Sequence, residues 1–419
     1  MSAEPLVEYH SLGLVKPLER MTTGLCSKLL PQYRGQPQFH TDDKMGVLSL
    51  LVAAALAYSC QAAQDPRVQV ALTLDTPCNG VSTTEDGRLF VLYARVDGIQ
   101  AQGLPEVVEW VNGTGVPYPD ARWNSYAGPD SDPATTLVRV NSQRVDRDGN
   151  LWLVDTGSPG FGSPVILPEG PKLVVVDTGT NEVSRVYPMG NVTLSESLLD
   201  DIRFDATGSR AYLTDAGAGG ALIVLDLGSG RAVRLLEGDL SVGAFTPTSG
   251  EGKFLRSSSG ELSYIYADQL EVSPDGRWFY YQPASGGMSR IETRFLDEAF
   301  YNSSMASLGV LSEYVEPYAL TPSTGGTAVD SEGNIYVSDT DRQAIEKIYP
   351  NGTRATIVQD ERLLWVDAMW VDNQNRLWLP AAQLNRGAPF QADGQSQIVT
   401  PLYVYTIDIG VGPSPIDHK

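Results

Sequence analysis

Short strands of alternating aromatic and aliphatic residues recur along the chain, and each follows a tight polar turn. The pattern occurs six times, and the residue at the same place in each turn is Gly87, Gly149, Gly208, Gly276, Gly333 or Asn375. Glycine and asparagine most easily adopt the positive φ of a tight hairpin. A strand–turn–strand unit repeated in this way is typical of a β-propeller. The sequence therefore predicts an all-β fold, a six-bladed β-propeller.

The two ends of the repeated region also have the pattern of strands. RVQVALTL begins at Arg67, and PLYVYTIDIG begins at Pro401; both alternate. Because the chain ends of a propeller usually share a blade, we expect these strands to pair and to close the ring in the sixth blade. The predicted segments are a disordered extension (1–44), a signal peptide (45–62), the propeller (63–410) and a C-terminal tail (411–419).

Counting back eight residues from each turn residue gives a column of polar residues: Asn79, Asn141, Asp200, Asp268, Gly325 and Asp367. This position opens the innermost strand, so we expect the column to surround one mouth of the central tunnel. Converging oxygens suit a hard cation such as Ca²⁺, with Asn141, Asp200 and Asp268 as ligands. Without a metal, clustered carboxylates raise one another's pKa, which suits a general acid. Simple capping of backbone N–H groups is the third interpretation, and all three stay open.

Two residues further upstream, in the predicted loop over the mouth, lie Arg139, Tyr266 and Trp365. Aromatic rings offer area to a flat ligand, and a guanidinium offers a fork for an enolate or carboxylate. The alternative is that the two aromatic residues only pack between blades. Long insertions are expected to build one face of the disc, where propellers carry function. These insertions lie at 113–135, 156–171, 240–262 and 381–398.

The net charge of −21 argues against binding to nucleic acid or to anionic membrane surfaces. An acidic surface favours solubility, and an acidic mouth would also attract a cation. The three histidines, His10, His40 and His418, lie outside the repeated region. Catalysis by Ser-His-Asp or Cys-His groups in the propeller is therefore excluded, as are histidine-ligated zinc sites. Acid–base chemistry there depends on carboxylates, Tyr, Lys or Arg.

An apolar run begins at Val47, and small residues follow it up to Ala62. The run is short for a membrane span and is typical of a secretory signal peptide. We expect a protein that is secreted or resides in the secretory pathway, with no membrane contact after the signal is removed. Its oligomeric state stays open. Four sequons favour the same route and are the expected glycosylation sites: Asn112, Asn191, Asn302 and Asn351.

Several segments resemble the yellow / major royal jelly protein family. They include VPYPDARWN from Val116, LWLVDTG from Leu151 and SPDGRWFYYQPASGGMSRIET from Ser273. The resemblance covers roughly residues 67–410. It implies a six-bladed, usually secreted propeller that often binds a small molecule. The Asn and Asp column is also similar to the metal-ligand column of gluconolactonase and regucalcin-type propellers, although their N-terminal Glu ligand is not identified in this chain.

The resemblance implies one leading function and leaves two alternatives. Some fungal yellow-like propellers act in secondary metabolism as hetero-Diels–Alderases, which join a tropolone quinone methide to a sesquiterpene alkene without a cofactor. The alternatives are a Ca²⁺-dependent lactonase and a non-catalytic binder of amines or other small molecules. Under the leading hypothesis, the acid is Asp200, Asp268 or Asp367, the oxyanion is steadied by Arg139, and the substrate is bound by Asn79, Asn141, Tyr266 and Trp365.

Overall fold

A computed structural model describes residues 64–97, 103–160 and 166–417 of the chain. The predicted extension over 1–44 and the predicted signal peptide over 45–62 lie outside these residues, as do the three histidines. Six four-stranded antiparallel sheets are arranged as the blades of a propeller. The predicted six-bladed β-propeller is therefore confirmed.

Each blade runs outward from the tunnel in chain order, except for the last. The first strand, β1 (Gln69–Leu74), belongs to blade six. Blades one to three contain β2 (Cys78–Thr83), β3 (Leu89–Tyr93), β4 (Val107–Val111), β5 (Thr114–Pro117), β6 (Val140–Val145), β7 (Asn150–Asp155), β8 (Lys172–Asp177), β9 (Glu182–Pro188), β10 (Leu199–Phe204), β11 (Arg210–Asp215), β12 (Ala221–Asp226) and β13 (Ala232–Leu235).

The second half of the ring begins after a small hairpin, β14 (Ser249–Gly250) and β15 (Lys253–Phe254). Blades four to six contain β16 (Ala267–Val272), β17 (Trp278–Pro283), β18 (Met288–Glu292), β19 (Glu316–Ala319), β20 (Thr327–Val329), β21 (Ile335–Asp339), β22 (Ala344–Ile348), β23 (Arg354–Gln359), β24 (Trp370–Val371), β25 (Arg376–Ala381) and β26 (Leu402–Asp408).

Helices are few and lie outside the blades. Between β18 and β19 are α1 (Thr293–Tyr301) and α2 (Leu308–Leu311). No helix in the described ranges has the length and apolarity that a membrane span needs. Short 3₁₀ turns occur at Leu240–Val242, Ser312–Tyr314, Leu384–Arg386 and Ala388–Phe390.

Blade six is built from both ends of the chain, as the sequence predicts. Its order is β1-β26-β25-β24, so the first strand of the chain is the outermost strand of the last blade. Leu74 pairs with Leu402, and Gln69 pairs with Thr406. Ladder hydrogen bonds between the two chain ends therefore close the ring.

The six repeated turns have the predicted backbone conformation, with positive φ at each turn residue. An aspartate at the start of a turn fixes it in several blades. Asp146 accepts hydrogen bonds from the backbone N–H of Asn150 at 2.9 Å and from the indole N–H of Trp152 at 2.8 Å. Asp372 accepts from the indole N–H of Trp378 at 2.7 Å in the same way. These bonds satisfy buried donors and lock the inner hairpin of the blade.

The apolar core lies between the blades. The ring of Trp152 in blade two lies 5.6 Å from that of Tyr187 and 5.0 Å from that of Phe204 in blade three, centroid to centroid. Such aromatic contacts add to the free energy gained by burying apolar area. Trp152 therefore joins two neighbouring blades.

The predicted C-terminal tail packs into the propeller. Pro413 pairs with Asp330 in the hairpin turn after β20, at the end of the tunnel away from the Asn and Asp column. Ile416 is buried in the core. Asp417 forms a salt bridge of 2.5 Å with Arg144 of β6, and each side chain is only 5% exposed. The tail therefore closes this end of the tunnel.

Replacing Asp417 with alanine is expected to destabilise the propeller by about 3–5 kcal/mol, because it leaves Arg144 buried without its partner carboxylate. Thermal unfolding should show a clearly lower Tm. The control is Asp130→Ala in an exposed loop, where a change within about 0.5 kcal/mol is expected. Equal Tm values for the two variants would contradict the structural role of the tail.

Candidate functional site

The six residues of the predicted column line one small cavity. Its volume is about 20 Å³, which is enough for one water-sized group. The cavity lies at the start of the inner strands, at the mouth opposite the C-terminal tail. The residues that we call the mouth ring are Asn79, Asn141, Asp200, Asp268, Gly325 and Asp367.

Irregular strand pairing places the ring side chains at the cavity. The ladder between β2 and β3 shifts register at Asn79, and that between β6 and β7 shifts at Asn141. The ladders of β10 and β16 shift at Asp200 and Asp268. A bulge bends the strand and re-aims its side chain. The same local irregularity in four blades therefore turns four polar residues toward the cavity.

Aspartates at the ends of second strands hold the chain just before the ring. Asp155 accepts hydrogen bonds from the backbone N–H groups of Val138 at 2.8 Å and Arg139 at 3.1 Å. Asp215 accepts from the backbone N–H of Leu198 at 2.7 Å. These bonds fix the backbone where it enters β6 and β10, and so they hold the position of the ring residues that follow.

Hydrogen bonds connect the ring residues to one another. The side-chain amide of Asn79 donates to the backbone carbonyl of Asn141 at 2.7 Å, and the amide of Asn141 donates to a carboxylate oxygen of Asp200. The carboxyl groups of Asp200 and Asp268 are neighbours that influence each other's ionisation. Two neighbouring carboxyl groups can hydrogen-bond to each other only when one of them carries a proton.

Burial dominates the ionisation of the ring. It raises the pKa of Asp200 to about 6, and the hydrogen bonds from Asp268 and Asn141 partly oppose this rise. Burial, followed by the charge of Asp200, raises the pKa of Asp268 well above its usual value. Burial and mutual repulsion therefore keep this pair of carboxyl groups protonated to a higher pH than an exposed aspartate.

Asp367 is the third carboxyl group of the ring. Burial raises its pKa well above the usual value, and the charge of Asp200 adds to the effect. Two hydrogen bonds oppose the rise, from the backbone N–H of Ala368 at 2.9 Å and the indole N–H of Trp365 at 3.0 Å. Two hydrogen-bond donors therefore hold Asp367 in place, whereas the neighbour of Asp268 is another carboxyl group, that of Asp200.

Calcium binding at the ring stays a prediction. In this structure Asn141 directs its side-chain N–H group toward Asp200 and so acts as a hydrogen-bond donor there. Over the residues that the structure describes, no group of three or more His, Cys, Asp or Glu side chains is placed to hold a metal ion. The hydrogen bonds of the ring thus suit the binding and transfer of protons, and the absence of a cofactor stays a prediction.

Arg139 and Tyr266 lie in the chain that enters the ring, as predicted. Arg139 is 5% exposed, and its Nε donates to the carbonyl oxygen of Ser158 at 3.2 Å. Burial lowers the pKa of Arg139, while the charges of nearby Glu106, Asp155 and Asp200 oppose that change. The guanidinium is thus within electrostatic reach of Asp200. Tyr266 is half-buried at the corresponding position before β16.

Trp365 has a placement that the sequence did not indicate. It is 4% exposed and packs with Leu255 and Leu384. Its φ is 50°, which is costly for a bulky residue and indicates that the surrounding structure holds it there. Because its indole N–H binds Asp367, Trp365 positions a carboxyl group of the ring. Because Trp365 is almost fully buried, little of its ring surface is accessible for stacking on a ligand.

A second layer of side chains, several of them charged, lies below the ring, and the predicted column does not include it. Arg203 is buried and pairs with Glu271 at 2.8 Å and with Asp201 at 2.7 Å. Arg144 lies 4.8 Å from the ring centre of Trp370. The residues of this layer stand five positions before each turn residue, so a constant offset in the sequence also identifies them: Ser82, Arg144, Arg203, Glu271, Ala328 and Trp370.

The stability of the protein is expected to fall as pH rises from about 4 to above 6. Because folding raises the pKa of Asp200 and Asp268, the folded state binds more protons, and this stabilisation is lost once the pair must ionise. In Asp268→Asn the amide can still donate to Asp200, while one buried acid is gone. Its Tm should therefore decline less between pH 5 and pH 8, by roughly 2–4 °C.

The control for this pH series is Asp130→Asn, which changes an exposed carboxyl group on a loop. Its Tm should follow the wild type at every pH. Parallel pH profiles for wild type and Asp268→Asn would show that the ring carboxyl groups have ordinary pKa values.

The protein is a six-bladed β-propeller, and one mouth of its tunnel has a small cavity lined by acidic residues. The family model described as major royal jelly protein matches residues 138–393, which is more than half of the chain. The chain therefore belongs to the major royal jelly protein family, and the predicted family resemblance is confirmed.

Curated relatives match over shorter stretches. "Protein yellow" of Drosophila melanogaster is 31% identical over 141 residues, which cover 30% of this chain and 25% of that protein. "Protein yellow" of Drosophila guanche is 34% identical over 110 residues, covering 24% of this chain and 18% of that protein. The chain thus spans a quarter or less of the length of these relatives.

A solved structure supports the fold. A luciferin-regenerating enzyme superposes with a TM-score of 0.51 and 13% identity, covering 84% of this chain and 99% of that one. A gluconolactonase from Xanthomonas campestris superposes with a TM-score of 0.47 and 13% identity, covering 84% of this chain and 92% of that one. At this identity, the likeness concerns the propeller architecture alone.

Proposed function

We propose that this protein binds a small molecule over the mouth of its propeller and protonates it there. The observation that carries the proposal is the buried pair of carboxyl groups, Asp200 and Asp268, which line a cavity of about 20 Å³ and both have a raised pKa. A carboxylic acid kept protonated near neutral pH is the group that general-acid catalysis needs. The cavity admits a single oxygen atom of a substrate, so the rest of the molecule must lie outside it.

The reaction that this acid suits best is the formation and capture of a quinone methide. A hydroxymethyl tropolone would present its side-chain oxygen to the ring cavity and lose it as water. The resulting quinone methide would then combine with a sesquiterpene alkene in a hetero-Diels–Alder cycloaddition. Support for this choice comes from the family resemblance, the acidic mouth and the absence of histidine from the repeated region.

The proton balance of the dehydration closes through solvent. Asp268 gives its proton to the leaving hydroxyl, and the carbon–oxygen bond breaks with its electron pair on the departing water. The ring hydroxyl, which lies outside the cavity, releases its proton to solvent as the new carbonyl forms. The carboxyl pair then regains one proton from solvent, which restores the starting state. The cycloaddition itself then needs only the two reactants held together, which can supply up to about 7–11 kcal/mol.

The other predicted residues have supporting roles under this proposal. Arg139 lies close enough to influence Asp200 and would stabilise negative charge that develops on the substrate oxygen. Asn79 and Asn141 order the hydrogen bonds around the pair, and Trp365 holds Asp367. Tyr266 is the aromatic residue with part of its surface open at the mouth.

The test offers the protein two forms of the same substrate. With a hydroxymethyl tropolone and a cyclic sesquiterpene alkene, Asp268→Asn should form the adduct at least about 100-fold more slowly than wild type. With a quinone methide generated in the assay, which bypasses the dehydration, the variant should keep most of its activity. The wild-type rate with the precursor should fall as pH rises through the pKa of the pair, because the acid form is lost.

The matched control is Asp297→Asn, which removes another carboxyl group with a burial-raised pKa, on α1 and away from the mouth. It should leave both rates unchanged. Product ratio and stereochemistry equal to those in buffer would end the proposal. Loss of activity with a chelator, its return with Ca²⁺, and lactone hydrolysis would instead support the lactonase. Tight amine binding without any product would support the binder.

We further propose that the protein enters the secretory pathway and carries glycans. All four sequon asparagines are exposed: Asn112, Asn191, Asn302 and Asn351. Exposure is the condition for an attached, bulky and solvated sugar chain. The signal peptide that this route needs is the one predicted over 45–62.

Expression of the full chain in a glycosylating eukaryotic host should deliver protein to the medium with glycans at these four asparagines. Peptide mass spectrometry before and after enzymatic removal of glycans locates them. Asn351→Gln serves as a site-specific control that should remove one glycan and leave the others. Retention of unmodified protein inside the cells would contradict the proposed route.

A further inference from the structure

A large cleft opens on the mouth face of the propeller, beside the ring. It lies between the loop from β5 to β6 and the loop from β7 to β8, and its volume is about 720 Å³. This volume is in the range of pockets that take drug-sized ligands. The walls are mostly apolar and include Pro129, Pro133, Pro159, Pro168, Val138 and Leu167.

The described lining residues indicate the kind of ligand that the cleft would take. They leave few polar partners for a ligand, which favours one with a rigid apolar body.

One cation faces this apolar cleft. Arg95 lines it, and its Nε lies 2.5 Å from a carboxyl oxygen of Glu106, which is completely buried. Among the described residues, neither of these two atoms makes a well-aligned hydrogen bond. Arg95 also donates to the carbonyl oxygen of Leu104 at 2.7 Å. The guanidinium has five N–H donors, so donors remain for a ligand.

Glu106 is the ion-pair partner of Arg95. Burial raises the pKa of Glu106 to about 8, although the charge of Arg95 opposes the rise. A guanidinium in an apolar wall that keeps unused N–H donors attracts an anionic oxygen.

We propose that this cleft is a binding site for a rigid, apolar small molecule that carries one anionic oxygen group, with that group on Arg95. The cleft adjoins the mouth ring, because Val138 in its wall and Asn141 in the ring lie three residues apart in the chain, a span of about 10 Å. The backbone N–H of Val140, between them, donates to Glu106 at 3.1 Å. The site is defined without reference to any reaction at the ring.

Two fluorescent probes test the binding site in the full-length protein. Anilinonaphthalene sulfonate has an apolar aromatic body and one anionic group, and N-phenylnaphthylamine has a similar body without the charge. Arg95→Gln should weaken binding of the sulfonate at least tenfold and change binding of the uncharged probe little. Ala127→Trp, which fills the cleft from an exposed loop position, should weaken both probes at least tenfold.

The matched control is Arg386→Gln, which alters the arginine of a different cleft on the propeller and should affect neither probe. A cooperative thermal unfolding transition well above the assay temperature establishes that each variant is folded, although Arg95→Gln should lower Tm because it leaves Glu106 buried without its partner. Equal sulfonate affinity in wild type, Arg95→Gln and Ala127→Trp would overturn the proposal. An Asp268→Asn protein that loses dehydration activity but keeps both affinities would separate the cleft from the chemistry of the ring.

Discussion

The convergence of six inner strands at one tunnel is the constraint on which the rest of the structure depends. Strands that start together bring their first polar residues into contact, whatever their charge. Three of these residues are Asp200, Asp268 and Asp367, and burial makes three neighbouring negative charges too costly. Shared protons and donated hydrogen bonds relieve that cost, so the propeller geometry itself creates the acid at the mouth.

Below the ring, the converging inner strands carry side chains of opposite charge that pair with one another. There the inner strands contribute arginine as well as glutamate, and Arg203 is satisfied by Glu271 and Asp201. Arg144 finds its carboxylate in Asp417, which comes from the end of the chain. One end of the tunnel is thus packed with paired charges and the tail, while the other end keeps a cavity.

Strands and long loops form different parts of the mouth face. Bulges in β2, β6, β10 and β16 set the ring residues, and the loops around blades one and two form a much larger apolar cleft. Under the proposed function, the ring cavity takes one group of a substrate and the apolar body of that substrate lies outside it. The cleft beside Val138 offers an apolar space nearby, and Arg95 is the charged residue among its described lining residues.

The sequence by itself determined the six blades, the closure of blade six by β1 and β26, and the identity of the ring residues. It could do so because turns and alternating strands are local patterns, and a constant offset from a turn is a constant position in a blade. Only the folded structure shows that Asp200 and Asp268 are buried side by side, that Trp365 supports Asp367 instead of lying open, and that the tail enters the tunnel. It also formed the proline-walled cleft. These features depend on burial and on contacts between residues far apart in the chain, and neither leaves a periodic signal.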